Sequence, residues 1–156
     1  MERLHTIYTE HHHHHATDAV TLNGEPLLCK EVPARAEVVL AAIRAADLGP
    51  VVPPTDHGFP PLLAVHTVDY VEFLWTATMR HEAYYGKPGP VMAGRDAVTN
   101  KRAAQRPPET DFPALRDYYT FDYEETILAG TWDAAYWAAQ CALTAADCVL
   151  QGQPAA

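Results

Sequence analysis

No apolar run in the 156-residue sequence is long enough to span a bilayer, so a transmembrane helix and a membrane partner are excluded. Cysteine is scarce: Cys29, Cys141 and Cys148 are an odd number in no metal or disulfide spacing, which excludes a disulfide scaffold and fits a reduced, cytoplasmic setting. They read most simply as small apolar groups, Cys141 and Cys148 sharing a helix face. The start, Met1-Glu2-Arg3-Leu4-His5, lacks a charged-then-apolar export signal, so neither cleavage nor secretion is expected. Basic residues are few, eleven against twenty acidic ones, and the net charge of -9 argues against a nucleic acid partner. That charge suits a cationic ligand, or simply solubility. Complete catalytic motifs are missing too. There is no Gly-rich phosphate loop, no serine elbow and no helical pair of histidines flanking a glutamate.

What is present is a chain with 48% hydrophobic residues, enough for one globular domain over residues 1–156 with one core. Leu4 to Tyr8 suits a first strand. Residues 10–33 hold five consecutive histidines, Asn23-Gly24, Pro26 and Pro33 without helical or alternating period, and read as a long loop or arm. Arg35 to Asp47 aligns Val38, Val39, Ala42, Ile43 and Ala46 on one helical side, with Gly49 as a stop. Pro50-Val51-Val52-Pro53 reads as a short strand bounded by its prolines. Thr67 is placed to cap a second helix from Val68 to about Tyr84, with Tyr70, Val71, Phe73, Leu74, Trp75 and Met79 expected to pack. Five prolines (Pro88, Pro90, Pro107, Pro108, Pro113) and the basic Lys101, Arg102 and Arg106 make residues 86–117 a second long loop. Thr131 is placed to cap an Ala-rich third helix from Trp132 to about Leu150, carrying Ala135, Trp137, Ala139 and Leu143 and closed by Gly152. Gln153-Pro154-Ala155-Ala156 then reads as a connector.

Three groups of residues carry possible chemistry. Neutral imidazoles are common transition-metal ligands, so the His11 to His15 run can take up metal adventitiously, but adjacent residues on a loop lack the fixed geometry of a working site. His66, Asp69 and Tyr70 gather at a helix start, where the plain reading is a structural histidine. Asp122, Glu124 and Glu125 follow Tyr118, Tyr119 and Phe121; carboxylates among aromatic faces can hold an amine, while the plain reading is solvated loop charge.

Four stretches in order resemble the N-terminal region of the acetylpolyamine amidohydrolase and histone deacetylase family. They are Ile7-Tyr8-Thr9-Glu10-His11-His12, Pro33-Ala34-Arg35-Ala36-Glu37, His66-Thr67-Val68-Asp69-Tyr70-Val71-Glu72-Phe73-Leu74, and Gly130-Thr131-Trp132-Asp133-Ala134-Ala135. The third is the most specific. The resemblance implies an α/β chain, the N-terminal portion of an arginase/deacetylase-like three-layer fold with a mostly parallel sheet. It also implies zinc in the complete protein, held by two aspartates and a histidine, with paired histidines moving protons and a tyrosine polarising the carbonyl. Those motifs are expected beyond Ala156, so no catalytic or metal residue is assigned in this segment, and the His11 to His15 run is not the catalytic histidine pair.

The resemblance places Glu10, His12, Asp122 and Glu124 at the substrate rim and an acetylated amine as the substrate. The long loops at about 10–33 and 86–117 resemble dimer-forming insertions, which makes a homodimer the expected assembly. Val20, or a neighbour, stands where the family carries a substrate-selecting acid, so preference for polyamines over acetyl-lysine or other small amines stays open. The expected function is thus a fragment of a zinc-dependent deacetylase, inactive by itself. The alternatives are a non-catalytic binding module on the same fold, or a related hydrolase with another metal pair.

Overall fold

The computed structural model describes residues 3–16, 19–22, 25–28, 32–94, 106–121 and 126–156. They form two compact units. Met1–Asp18, Cys29–Leu62 and Asp133–Ala156 build the first; Ala19–Leu28 and Leu63–Trp132 build the second.

In the first unit, β1 (Thr6–Ile7) and β4 (Val51–Val52) pair in parallel, Thr6 with Val51 and Ile7 with Val52. The last residues run along the other side of β1: His5 N donates to Pro154 O, Ile7 N to Ala156 O and Ala156 N to His5 O. The residues expected to be a connector therefore extend this small parallel sheet, because β1 has a second edge of backbone groups to satisfy. α1 (Ala34–Ala45) ends with Asp47 at φ 45°, where its N–H and that of Leu48 close on Arg44 O and Ile43 O. The buried side of α1 is not the expected one. Val38 and Val39 are exposed, whereas Leu40 is buried and Ala36 and Ile43 are half-buried. Ala36, Leu40 and Ile43 follow the same helical spacing along another stripe, so periodicity alone did not choose between two apolar sides.

α2 (Pro60–Leu63) is a single turn. The long final helix, counted here as α5, spans Thr131–Leu150 and closes with Gly152 at φ 81°, Gln153 N donating to Cys148 O and Gly152 N to Val149 O. Thr131 is its first residue rather than a flanking cap, and its hydroxyl accepts from Leu128 N. Gln140, fully buried in α5, accepts from His57 N through Oε1. Cys141 and Cys148 are free thiols and half-buried, and burial pushes the Cys141 thiol up.

The second unit is organised by α3 (Val68–Tyr85), which Gly86 terminates in the left-handed conformation at φ 72°. Thr67 flanks α3 in extended conformation, but its side chain does not cap a helix N–H. α4 (Phe112–Tyr119) starts where Asp111 accepts from Ala114 N and Pro113 occupies the first turn. β5 (Val91–Met92) and β6 (Thr126–Ile127) pair antiparallel. Phe73, Ala77, Val91, Phe112, Leu115 and Ile127 form the core, with Leu74 and Tyr119 against it. Trp75 and Met79, expected inside, are exposed, and Trp75 stacks on Trp132 at 6.3 Å.

The two stretches read as long loops carry regular structure. Residues 10–33 contain a 3₁₀ helix (Glu10–His15) and an antiparallel hairpin of β2 (Ala19–Leu22) and β3 (Glu25–Leu28). Asn23-Gly24, a pair suited to a tight hairpin turn, lies between those strands and outside the described residues. Residues 86–117 contain β5 and most of α4.

A polar chain runs over this second unit. Tyr119 donates to Asp69 Oδ2 at 2.5 Å, Arg106 Nε donates to the Tyr119 hydroxyl at 2.8 Å, and Glu109 bridges Arg106 and Arg80. Arg80 also donates to Thr76 Oγ1 at 2.7 Å and approaches Glu72. Burial and the hydrogen bond to Asp69 push the Tyr119 hydroxyl up to about 12, although Arg106 pulls the other way. Hydrogen bonds from Thr67 and Tyr119 hold Asp69 below the usual carboxylate range. Beside this chain, the buried carboxylate of Asp117 accepts from Gly94 N and Arg116 Nε, both at 2.8 Å.

Three outcomes test this description. Leu115→Ala removes core contacts and is expected to cost about 2–5 kcal/mol. Gly49→Ala, whose Cβ would overlap the Leu4 backbone, is expected to cost about 1–3 kcal/mol; both are read by denaturant unfolding. Tyr119 is neutral in the fold beyond its ordinary value of 10.0, so its contribution is complete below that pH and is lost as pH rises towards about 12. Asp69 contributes in the opposite direction, fully above the ordinary carboxylate range and less as pH falls below it. Unfolding followed against pH should show both limbs, and Tyr119→Phe should flatten the alkaline one.

Candidate functional site

In the first unit the five histidines are wound into one short helix rather than strung along a loop. Thr9, extended at φ -141°, opens the turn by accepting from His11 N through Oγ1 at 3.4 Å, and His12 Nδ1 reaches back to Thr9 O at 2.9 Å. Winding at three residues per turn stacks His11 and His14 on one side and leaves His12 and His13 on another. The run therefore splits between two carboxylates contributed by other elements.

Asp133, in the first turn of α5, receives His11 and His14: both Nδ1 atoms lie 2.5 Å from its Oδ2. Burial pushes the Asp133 carboxyl up, but the hydrogen bonds from His11 and His14 outweigh it and hold the group below its usual range. His11 also stacks on Trp137 one turn along the same helix, with ring centroids 4.8 Å apart.

Glu37, in the first turn of α1, receives His12 and His13, whose Nε2 atoms lie 3.4 and 3.1 Å from its Oε1. Tyr8 donates its hydroxyl to the same oxygen at 2.9 Å. That bond, with His13 beside it, draws Glu37 below the carboxylate range; burial and the neighbouring carboxylate push the Tyr8 hydroxyl well above its ordinary value. Glu10 Oε2 is 3.3 Å from His13 Nε2, and its side chain is 75% exposed, which leaves it open to a solvent-borne cation.

His11, His14 and Asp133 form one set of possible metal ligands, and His12, His13 and Glu37 form another, each with its ligand atoms within 4.8 Å. These are the sets found among the described residues. Each is two histidines and one carboxylate, so neither fits the two-aspartate, one-histidine set implied for the catalytic zinc, and no step through that zinc follows from them.

Of the four rim residues expected from sequence, Glu10 and His12 share one turn and meet at His13 and Glu37. Asp122 and Glu124 lie outside the described residues, as do Lys101 and Arg102 of the basic cluster. His66 packs its ring on Tyr70 at 5.4 Å, while Asp69 serves the Tyr119 chain. Sequence reasoning missed Glu37 and Asp133 as partners of the histidines. Both stood within stretches that were singled out, but nothing local in those stretches points to residues so far away in the chain.

No helix among the described residues is long and apolar enough to cross a membrane. No protein-family model matches the chain. Individual relatives do. The chain is 36% identical over 148 residues to acetylpolyamine amidohydrolase 1 of Pseudomonas aeruginosa, covering 94% of this chain and 42% of the relative. It is 35% identical over 153 residues to the acetylpolyamine amidohydrolase of Mycoplana ramosa, covering 98% and 44%. The crystal structure of an acetylpolyamine aminohydrolase from Burkholderia pseudomallei superposes with a TM-score of 0.81 at 30% identity, over 98% of this chain and 43% of that one. Over nearly its whole length this chain is similar to acetylpolyamine amidohydrolases, and it spans about two fifths of their length.

Proposed function

We propose that this chain is the N-terminal part of a zinc-dependent amidohydrolase that removes acetyl groups from acetylated polyamines, related small amines or acetyl-lysine. The observation that carries the reading is the agreement of sequence and fold with acetylpolyamine amidohydrolases along almost the entire chain. The fold proposed for the whole protein is the three-layer arginase/deacetylase arrangement with a mostly parallel sheet, to which β1, β4 and residues 154–156 contribute parallel strands. Zinc, when bound in the whole protein, would activate a water for attack on the amide carbonyl. Its ligands and the proton-transfer histidines are assigned beyond Ala156, so this segment alone does not deacetylate.

An exposed apolar stripe supports the fragment reading. On α3, Val68, Trp75 and Met79 recur at helical spacing and are all more than half exposed. A helix face of this kind needs a covering layer. This segment's own contribution to the reaction is to receive the amine. Glu10 offers an exposed carboxylate to a cationic chain and His12 stands two residues away on the same turn; Asp122 and Glu124 are likewise assigned to substrate binding. The acid excess raises the local concentration of such a ligand. A homodimer through the β2–β3 hairpin and residues 86–117, and a cytoplasmic location, complete the proposal.

The test is a deacetylation assay with acetylated polyamines and acetyl-lysine peptides, zinc added, on this chain and on a product extended beyond Ala156. Turnover only in the extended product is expected. Turnover in this chain overturns the assignment of the catalytic residues, and none in either favours a binding module. In an active extended protein, Glu10→Gln should raise KM for an acetylated polyamine about fivefold with kcat unchanged, the loss of roughly 1 kcal/mol expected of an exposed ion pair.

A further inference from the structure

We propose that His12, His13 and Glu37 form a binding site for a zinc-class transition-metal dication, completed by Glu10 or a water. The His12 ring carries the argument. Its Nδ1 faces the carbonyl oxygen of Thr9 at 2.9 Å, and since a carbonyl only accepts, Nδ1 bears the hydrogen. In the neutral ring Nε2 then presents a lone pair. That atom is buried and has no hydrogen-bond partner. The polar atom in front of it, Glu37 Oε1 at 3.4 Å, is itself an acceptor, and the contact lacks hydrogen-bond alignment. Two acceptors facing each other in a half-buried corner call for a cation between them.

The spacing suits such a cation. Bonds of about 2.1 Å from a tetrahedral zinc place neighbouring ligand atoms roughly 3.4 Å apart. Here Glu37 Oε1 lies 3.4 Å from His12 Nε2 and 3.1 Å from His13 Nε2, and the three residues each offer a ligand atom within 4.8 Å of the others. Glu10 Oε2, 3.3 Å from His13 Nε2, is near enough to supply a fourth ligand. Outer partners already orient the ligands: Thr9 O fixes the His12 ring, Tyr8 donates to Glu37, and the Tyr8 and His12 rings meet edge to face at 5.5 Å. Two imidazoles with one or two carboxylates select zinc, nickel or cobalt over magnesium or calcium.

The second set does not offer the same opening. His11 and His14 each contact Asp133 Oδ2 at 2.5 Å, too close for a metal to enter without moving them, so that set acts as an anchor of the 3₁₀ helix to α5. The difference separates a built site from a bare histidine tract, in which any neighbouring residues chelate and a glutamate 24 positions from His13 has no part.

The experiment titrates the whole 156-residue chain with zinc by calorimetry and with cobalt by visible absorption, with circular dichroism verifying the fold of each variant. One equivalent of zinc and a tetrahedral cobalt spectrum are expected. Glu37→Gln, and separately His12→Asn, should weaken zinc at least tenfold and abolish the tetrahedral bands, while His15→Asn leaves both unchanged. Absence of zinc binding in the unaltered chain overturns the proposal. So does equal affinity in Glu37→Gln, or equal loss in His15→Asn and His12→Asn, since each marks chelation by the tract alone. These readouts do not depend on deacetylation.

Discussion

The first unit depends on one short strand being bonded along both edges. Leu4, Thr6 and Tyr8 donate to Leu48, Pro50 and Val52 on one side, while His5, Ile7 and the terminal residues exchange bonds on the other. Three distant segments are tied together through a strand of two residues. Backbone groups buried here have no water to turn to, so the pairing is obligatory. It also requires the chain to pass close by at Gly49, where only a hydrogen in place of Cβ fits against Leu4. The histidine helix begins directly after this strand, and its position is inherited from it.

Electrostatics follows the same economy. The acid excess could have left a surface of solvated carboxylates, yet several are held by specific donors: Asp133 and Glu37 by histidines, Asp69 by Tyr119, Glu109 by two arginines, Asp117 by Arg116 and a backbone amide. The exposed pairs among them contribute little free energy each. Their larger effect is to fix direction, and at Glu37 that direction brings Tyr8, His12 and His13 to one oxygen.

The elements legible from residue pattern were those whose signals are local. The three long helices begin and end within a few residues of where caps, glycines and apolar spacing put them, and Val51–Val52 is the strand its flanking prolines announced. The hairpin of β2 and β3 escaped because neighbouring prolines and the histidine run suggested an irregular arm, although Asn23-Gly24 is a turn pair. Faces were harder than elements. Val38, Val39, Trp75 and Met79 lie at spacings that read as core and are exposed, since spacing defines a stripe without saying what covers it.

For the candidate site the division is similar. Residue pattern marks the His11 to His15 run as a stretch that can take up metal adventitiously, whereas Glu10 and His12 enter only through the resemblance to the acetylpolyamine amidohydrolases, which the chain matches. Sequence alone also determined net charge, helix positions and the lack of a membrane-spanning run. Only the tertiary structure decided that His12 and His13 meet Glu37 while His11 and His14 meet Asp133. The reason is physical: helix signals are written within a few neighbouring residues, whereas the meeting of side chains from three elements is set by strand pairing and packing, which no local pattern encodes.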